Sequence, residues 1–324
     1  MTAVAKKFFS YFLKAAILVL AFYFIYHQYL KKGDNLKQFQ NAVNRLSHEH
    51  VIVIMSVVVF LMFSNWLVEC LKWQHLTRRL APISLWKAIE GVFCGLTWAV
   101  FTPNRIGEYG GRVMFLPPRK RIHGVFAMAV GQLGQLVITN VLGAVGLLWF
   151  IFTFKHFNSW ILVSITIVGI AFIAFFLTLY FNVKWLVWLL NRVSFLKKYH
   201  RFFDIMGSYK FDELSRIMCF CLTRYFIFSF QYYLVIHLLV PAIPFHVVVL
   251  MVFIVLFVQS ALPSLDLLDV PVRATAAATV FHYVTGQQIA IIAAFSSIWL
   301  INLIIPAILG SVFIFKLKFF DRSV

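Results

Sequence analysis

The chain has 324 residues, of which 62% are hydrophobic and 12% charged, and its mean hydropathy is +0.88. Soluble globular proteins carry about 25% charged residues, so the composition excludes a soluble domain and indicates an integral membrane protein. The formal net charge of +18 fits the basic cytoplasmic loops of such a protein better than a nucleic-acid-binding face, and we expect no nucleic acid partner.

Long apolar runs recur along the chain, each of about 20 residues, which is enough to cross a hydrocarbon core of ~30 Å. Two shorter runs, Trp86–Phe101 and Pro244–Ala261, each lead into a proline that charged residues follow. The predicted fold is an all-α polytopic membrane protein with two interrupted segments and about six full spans, at Phe8–Leu30, Val51–Leu71, Gly124–Phe152, Trp160–Phe181, Ile217–Val240 and Gln287–Phe315.

Basic residues between the runs predict how the two short runs lie. The positive-inside rule places both termini, the cluster Arg119–Arg121 and the basic segment Asn182–Arg216 in the cytoplasm. All of them share that side only if Trp86–Leu116 enters the membrane from the cytoplasm and returns to it as a re-entrant hairpin. With the same count of membrane crossings, Pro244–Val284 is predicted to be a second re-entrant hairpin that enters from the outside.

These elements form an internal repeat within one membrane domain, residues 1–324. Residues 51–152 and 217–315 each contain a span, a short apolar run, a proline motif and a second span. An N-terminal helix and loop (1–50) precede the first repeat, and a connecting helix and basic cytoplasmic segment (153–216) separate the two. Because the repeats start from opposite faces, we predict an inverted repeat, which is typical of transporters with substrate sites at interrupted helices.

The segment Asn182–Arg216 mixes tryptophan and leucine with lysine and arginine. This pattern predicts an amphipathic helix on the cytoplasmic leaflet. Such a helix either anchors the protein or gathers anionic lipid headgroups. Anchoring is favoured unless the helix borders a lateral opening.

The first interrupted segment carries an unusual charged motif. If it is helical from Arg105, then Arg105, Glu108 and Arg112 share one face at i, i+3 and i+7. Charges at membrane depth are costly unless paired or facing water. An ion-paired structural plug is one reading, but one acid cannot neutralise two arginines. The surplus favours a phosphate site, with Arg105 and Arg112 as ligands and Glu108 as their orienting partner. Supporting positions for the turn and for close helix approach are Pro103, Gly107, Gly110 and Gly111.

A second charged motif follows Pro263. Its charges, Asp266, Asp269 and Arg273, again fall at i, i+3 and i+7, and its last acid and arginine correspond to those of the first motif. One reading is a structural pair between Asp269 and Arg273 with Asp266 at the outer surface. The other is a contact between the two motifs or a proton site that drives transport. We predict all three as substrate-binding residues together with those of the first motif, and the match between the motifs favours Glu108 with Arg112 and Asp269 with Arg273 over Arg105.

Other polar residues in apolar runs have simpler explanations. Arg224, which like Glu90 is a supporting position of the predicted site, lies near the start of its span and is expected to extend to the cytoplasmic interface. Glu90 lies deep enough in its run to pair with an arginine, and Glu69 with Lys72 is read as an interfacial ion pair. The stripe of Gln132, Gln135 and Asn140 predicts interhelical hydrogen bonds. The histidines and cysteines show no ligand spacing, so we predict no metal, no cofactor and no catalytic residues.

At the two motifs the chain resembles the lysylphosphatidylglycerol synthase transmembrane region family, also called flippase-like domain proteins. That family has a Pro-Gly-x-Gly-x-Glu type motif in each half, and Thr102–Glu108 and Leu262–Arg273 occupy the corresponding places. The resemblance extends over nearly the whole chain. It departs from the family at Asn104–Arg105 and Leu265–Leu268, where glycines are usual, and at Ala274, where a glutamate is common.

The resemblance implies a lipid flippase or transporter in the bacterial cytoplasmic (inner) membrane that moves an anionic phospholipid or lipid-linked intermediate between leaflets. Its partners would be membrane lipids, with a homo-oligomer or a cytoplasmic envelope-synthesis enzyme as further possibilities. Bifunctional members append an aminoacyl-tRNA-dependent transferase domain, and because this sequence ends at Val324, we expect no lysyl transfer. The alternative is a membrane scaffold or regulatory subunit of a cell-envelope lipid enzyme. A headgroup-modifying enzyme that uses Glu108, Asp266 or Asp269 as acid or base is less favoured.

Overall fold

The computed structural model describes residues 41, 44, 46–100, 102, 105–192, 200–261 and 269–314. Within these residues the regular structure is helical and contains no strand, which confirms the all-α prediction there. The predicted span Phe8–Leu30 lies outside the described residues.

The helices follow the apolar runs closely. Helix α1 comprises His48–Thr77, α2 Leu85–Val100, α3 Ile106–Val113, α4 Arg121–Phe154, α5 Ser159–Phe181 and α6 Val183–Arg192. Helix α7 comprises His200–Gly207, α8 Phe211–Leu239, α9 Phe245–Ala261, α10 Asp269–Phe281, α11 Gln288–Trp299 and α12 Ile305–Ile314. A 3₁₀ turn, Pro118–Lys120, precedes α4, and a π-helical turn, Leu300–Ile304, joins α11 to α12.

Five helical stretches of the described chain are long and apolar enough to cross a membrane. They are α1, the 3₁₀ turn with α4, α5, α8, and the continuous stretch through α11 and α12. Each coincides with one of the five predicted spans that follow the first, because about 20 apolar residues in a helix match the thickness of the hydrocarbon core. The chain is therefore a multi-pass membrane protein by the length and composition of its helices.

Helices α1 and α8 are antiparallel neighbours. Gln231 on α8 donates a hydrogen bond from Nε2 to the Val58 carbonyl, at 2.8 Å, in the first half of α1. At the other end, Arg79 just after α1 donates from Nε to Glu213 Oε1 at 2.7 Å, in the first turn of α8. The first helices of the two predicted repeats therefore run in opposite directions.

Helix α2 packs antiparallel against α12. The Thr97 hydroxyl donates to the Ala307 carbonyl at 2.8 Å. Nearer the start of α2, the ring of Trp86 lies edge-on to Phe313, with centroids 6.1 Å apart. The short apolar helix of the first repeat thus contacts the last helix of the second.

The reciprocal contact joins α9 to α4. Gly143 on α4 faces Phe257, and Gly146, one turn later, faces the Leu250 carbonyl, which a Cβ at that glycine would approach to 2.9 Å. The absence of both side chains lets the helices approach closely. The short apolar helix of each predicted repeat therefore packs against the last span of the other.

The basic connecting segment forms two short helices where the sequence predicted one. Helices α6 and α7 contact each other, and residues 193–199 between them lie outside the described part of the chain. On α6, Trp185 and Trp188 are exposed while Val183 and Val187 are buried. This two-faced distribution fits a helix that lies along a membrane surface.

Candidate binding site

The first charged motif is positioned by a tight helical hairpin. Helix α3 folds back on α2, so that Gly111 lies against Gly95, where an added Cβ would be 2.5 Å from the Gly95 Cα. Gly107 lies against the Trp98 carbonyl, and its N–H donates to the Thr102 hydroxyl at 2.7 Å. Only glycine allows the two backbones to approach this closely. The hairpin therefore fixes α3 against α2 and sets the direction of its charged side chains.

A buried ion network lies between α3, α1 and α8. The Arg112 guanidinium, 1% exposed, donates from Nη1 to Glu69 Oε1 at 2.5 Å and also pairs with Glu108. The other oxygen of Glu69 pairs with Arg224 and lies 2.8 Å from Lys72 Nζ. Glu69 therefore bridges three cations, two of which belong to other helices.

The network is more positive than negative. Arg105 joins it, with Nε 3.1 Å from Glu108 Oε2, so that two carboxylates face four cations. A buried charge without a partner is strongly destabilising, and here every cation contacts at least one carboxylate. Among the described residues, the network therefore contains more cations than carboxylates.

Arg105 has a strained backbone at the start of α3. Its φ of 55° is the single positive value at a non-glycine position in the described part of the chain. This conformation costs about 1–3 kcal/mol for a residue with a side chain, and such strain clusters at functional sites. The side chain is 35% exposed, and it faces a cavity.

The cavity has a volume of about 740 Å³ and is lined by both repeats. Among its described lining residues the charged ones are Arg105 and Glu108 from the first repeat and Arg224 and Arg273 from the second. The described charged side chains of the wall are therefore three arginines and one glutamate, contributed by both sets of helices.

Arg224 is held in place by its neighbours on α1. Its Nε donates to Asn65 Oδ1 at 3.0 Å, and its guanidinium lies over the Trp66 ring, 5.2 Å from the centroid. Together with the pair to Glu69, these contacts orient the side chain before any ligand binds. Arg224 thus presents a preorganised cation to the cavity.

Uncharged polar and apolar groups complete the cavity wall. Leu186 of α6 and Met206 of α7 also line it, so the amphipathic helices border the cavity. The uncharged polar side chains are Asn65, Gln132, Gln135, Thr139, Gln259, Ser260 and Asn302. The aromatic side chains are Trp66, Tyr109, Tyr225, Phe228, Tyr232, Phe295 and Trp299. The wall therefore offers hydrogen bonds on some sides and apolar surface on others.

The predicted site residues separate into two groups. Arg105, Glu108, Arg224 and Arg273 line the cavity, whereas Arg112 lies behind the wall and pairs with two carboxylates. The geometry therefore gives Arg112 a role in positioning the other charges.

The remaining predicted positions do not contribute described cavity contacts. Pro103, Pro263 and Asp266 lie outside the described residues, and Asp269 begins α10 without a described side chain. Glu90 lies half-buried on α2, away from the cavity wall. The partners predicted for the acids of the second motif remain predictions.

Two sequence interpretations are corrected by the packing. Arg224 does not extend to an interface, because the buried carboxylate of Glu69 on the adjacent α1 attracts it inward. The pair of Glu69 and Lys72 is not interfacial either, since both side chains are at most 2% exposed. Asn65, Glu69 and Lys72 fall at i, i+4 and i+7, and this spacing was the available sequence signal for the polar face of α1.

The glutamine stripe of α4 also has a different environment from the predicted one. Gln132 and Gln135 line the cavity, while Asn140 donates from Nδ2 to the Leu136 carbonyl of its own helix at 2.8 Å. Within the described part of the chain the side chains of this stripe make no interhelical hydrogen bond, and its first two members belong to the site.

No protein-family model matches the chain, and no match was found among curated proteins or among solved structures. The fold and the site define a multi-pass α-helical membrane protein with a cationic cavity shared by two sets of helices.

Proposed function

We propose that the protein is a flippase-like lipid transporter that moves an anionic phospholipid or lipid-linked intermediate between leaflets without altering it chemically. The observation that carries this proposal is the cavity between the two repeats, whose described charged lining consists of Arg105, Arg224, Arg273 and one carboxylate. A phosphate headgroup would accept charge-assisted hydrogen bonds from these guanidinium groups.

The proposed architecture has about six spans and two re-entrant hairpins, α2–α3 and α9–α10, in an inverted repeat. The opposite directions of α1 and α8 and the reciprocal packing of the short helices support it. Inverted repeats of this kind allow one bundle to rock against the other around a fixed site. The resemblance to the lysylphosphatidylglycerol synthase transmembrane region family favours the bacterial cytoplasmic membrane, with both termini in the cytoplasm.

In the proposed mechanism the headgroup enters past α6 and α7, which border the cavity. The guanidinium groups of Arg105, Arg224 and Arg273 bind the phosphate oxygens, while Glu69 and Glu108 hold the arginines in place. The acyl chains stay on the apolar part of the wall and in the bilayer. No nucleophile or metal is required, since the lipid leaves as it entered.

Leaflet exchange in proteoliposomes tests the proposal. Arg224→Ala and Arg273→Ala should each slow exchange of a labelled anionic phospholipid about tenfold or more, because each removes hydrogen bonds to a charged group. Arg119→Ala, at an exposed arginine of the 3₁₀ turn, is the matched control and should leave exchange unchanged.

Three outcomes would each contradict a part of the proposal. Unchanged exchange in both cavity variants would overturn the role of the arginines. A mass change in the lipid after incubation would indicate a headgroup-modifying enzyme. Absence of exchange by the wild type, together with co-purification of a cytoplasmic lipid-synthesis enzyme, would support the scaffold alternative.

A further inference from the structure

A second pocket lies where two membrane spans reach the bilayer surface. Its wall includes Phe181, the last residue of α5, and Phe211, the first residue of α8. Both helices are long and apolar enough to cross a membrane, so these ends lie at the depth of the lipid headgroups. Most of the remaining wall comes from the start of α6 and from the residues that join α7 to α8, and the volume is about 590 Å³. No described residue lines both this surface pocket and the cavity between the repeats.

The described charged side chains of the surface pocket are two lysines and no acid. Lys184 belongs to α6, and Lys210 directly precedes α8. The acids that follow Lys210 do not line the pocket, since Asp212 is exposed and Glu213 pairs with Arg79, at 2.6 Å between Oε2 and Nη2. Within the described part of the chain, neither lysine forms an ion pair. The pocket therefore offers two ammonium groups to an anion.

The segment that carries Lys210 is fixed to the end of α1. The Ser208 carbonyl accepts a hydrogen bond from Arg79 Nη1 at 2.6 Å, and Tyr209 Oη donates to the Leu76 carbonyl at 2.7 Å. On the other side of the pocket, α6 packs against α7. The backbone on both sides is thus held in place, and a ligand has to order only the two lysine side chains.

Exposed aromatic rings stand beside the two lysines. Trp185 and Phe211 both line the pocket and are both 64% exposed. The Phe211 ring packs on that of Phe181, with centroids 4.8 Å apart. Tryptophan is enriched at the level of the headgroups, where an apolar ring meets the acyl chains. The pocket therefore combines charge for a headgroup with apolar surface for the chains of the same molecule.

We propose that the surface pocket binds the phosphate headgroup of an anionic phospholipid, with Lys184 and Lys210 as its ligands and Trp185 and Phe211 against its acyl chains. A phosphate accepts charge-assisted hydrogen bonds from ammonium groups, and basic pockets beside membrane spans bind anionic headgroups. The aromatic rings favour a lipid over a free phosphate, which has no apolar part. This site is separate from the cavity between the repeats and does not depend on transport.

Photolabelling of the full chain in nanodiscs tests the lysines. The probe is phosphatidylglycerol with a diazirine in its acyl chain, diluted into phosphatidylcholine, and peptide mapping measures the label on residues 181–185 and 207–214. The double variant Lys184→Gln with Lys210→Gln should lose about tenfold or more of this label, because each lysine contributes to headgroup attraction. Both side chains are exposed, so the melting temperature without anionic lipid should match that of the wild type.

The matched control removes the same charge elsewhere at this end of the bundle. Arg119 and Lys120 are exposed in the 3₁₀ turn before α4, and the start of α4 lies near the end of α1, where Gly124 faces Trp73. Arg119→Gln with Lys120→Gln should leave the label on the pocket peptides unchanged. Equal losses in the two double variants would show diffuse attraction by surface charge and overturn the site. Unchanged label in the pocket variant would overturn the role of the lysines.

A pair of tryptophan variants tests the apolar part of the site. Trp188, on the same helix as Trp185 and 56% exposed, does not line the pocket and lies under the Arg192 guanidinium, 3.9 Å from the ring centroid. Trp185→Ala should reduce the label about threefold or more, since it removes apolar contact area, and Trp188→Ala should not. Equal reductions would indicate general anchoring of α6 and contradict acyl-chain contact within the pocket.

Two competitors identify the source of the phosphate. Phosphatidylcholine with the same diazirine should label the pocket peptides about tenfold less, because its headgroup has no net charge to offer the lysines. Soluble glycerol 3-phosphate at the concentration of the lipid probe should not suppress labelling by phosphatidylglycerol, since it cannot contact Trp185 and Phe211. Equal labelling by the two lipids overturns the anionic preference. Suppression by the soluble phosphate overturns the lipid as the occupant.

Discussion

Glu69 and Arg112 form a buried ion pair across the interface of α1 and the α2–α3 hairpin, with Oε1 and Nη1 2.5 Å apart and both side chains 1% exposed. The second oxygen of Glu69 pairs with Arg224 on α8. One carboxylate outside the cavity therefore connects the hairpin of the first repeat to a cavity arginine of the second.

Removing the charge of Glu69 should destabilise the fold strongly. Glu69→Gln leaves Arg112, Arg224 and Lys72 with too few carboxylates, and breaking a buried pair costs about 3–5 kcal/mol. Thermal unfolding in detergent measures this. Glu213→Gln breaks a partly exposed pair with Arg79 and should cost at most about 1 kcal/mol. Equal losses in the two variants would contradict the central role of Glu69.

The energetic coupling between Glu69 and Arg112 should be large. In a double-mutant cycle of Glu69→Gln and Arg112→Gln, the double variant should be less destabilised than the sum of the single variants, because each single change leaves a charge unpaired. We expect a coupling energy of about 1–3 kcal/mol, the upper part of the range for contacting residues. Additive losses would show that the two side chains do not interact.

Arg105 should contribute positive charge to the cavity, while its left-handed backbone should lower the stability of the fold. Arg105→Gly relieves the left-handed strain while Arg105→Ala keeps it, so the glycine variant should be the more stable of the two by about 1 kcal/mol. Both variants lose the guanidinium and should slow anionic lipid exchange to the same extent. Unfolding and exchange assays on the same preparations separate the two effects, and equal stability would contradict the strain.

The hairpin should tolerate a methyl group at one glycine of α3 and not at another. Gly111→Ala places a Cβ against Gly95 of α2 and should destabilise the protein by about 1–3 kcal/mol through overpacking. Gly110→Ala on the same helix meets only the Trp98 ring, at 3.5 Å, and should be neutral or slightly stabilising. The reverse order of melting temperatures would contradict the packing of α3 on α2.

The length of the apolar runs made the membrane spans predictable, whereas the partners of the charged residues were predicted less well. A helix needs about 20 apolar residues to cross the bilayer whatever its neighbours, so both boundaries of α5 and the end of α8 could be read from the sequence. The partner of Glu69 could not, because Arg112 is 43 residues away and the local spacing favoured Lys72. Local rules describe contacts within a helix, whereas packing between helices selected the partner.

Local spacing was also insufficient to decide which of the two arginines of the first motif faces the ligand. Helical spacing placed Arg105, Glu108 and Arg112 on one face, and Glu108 does contact both arginines. The correspondence with the second motif favoured Arg112 as the ligand. Close contact of α3 with α2 instead directs Arg112 towards Glu69 and leaves Arg105 at the cavity. The spacing of residues along one helix does not predict these side-chain directions.

The π-helical turn at Leu300–Ile304 divides the last span between two sets of contacts. One backbone carbonyl of the turn, that of Asn302, faces α1 and accepts a hydrogen bond from Trp66 Nε1 at 3.2 Å. Before the turn, α11 contacts α8 and α10; after it, α12 contacts α2. A shift of the α2–α3 hairpin relative to α8 would therefore bend this span at residues 300–304. The π-helical turn would then act as the hinge of the last span, and the position of Asn302 in the cavity wall would change with the angle of the bend.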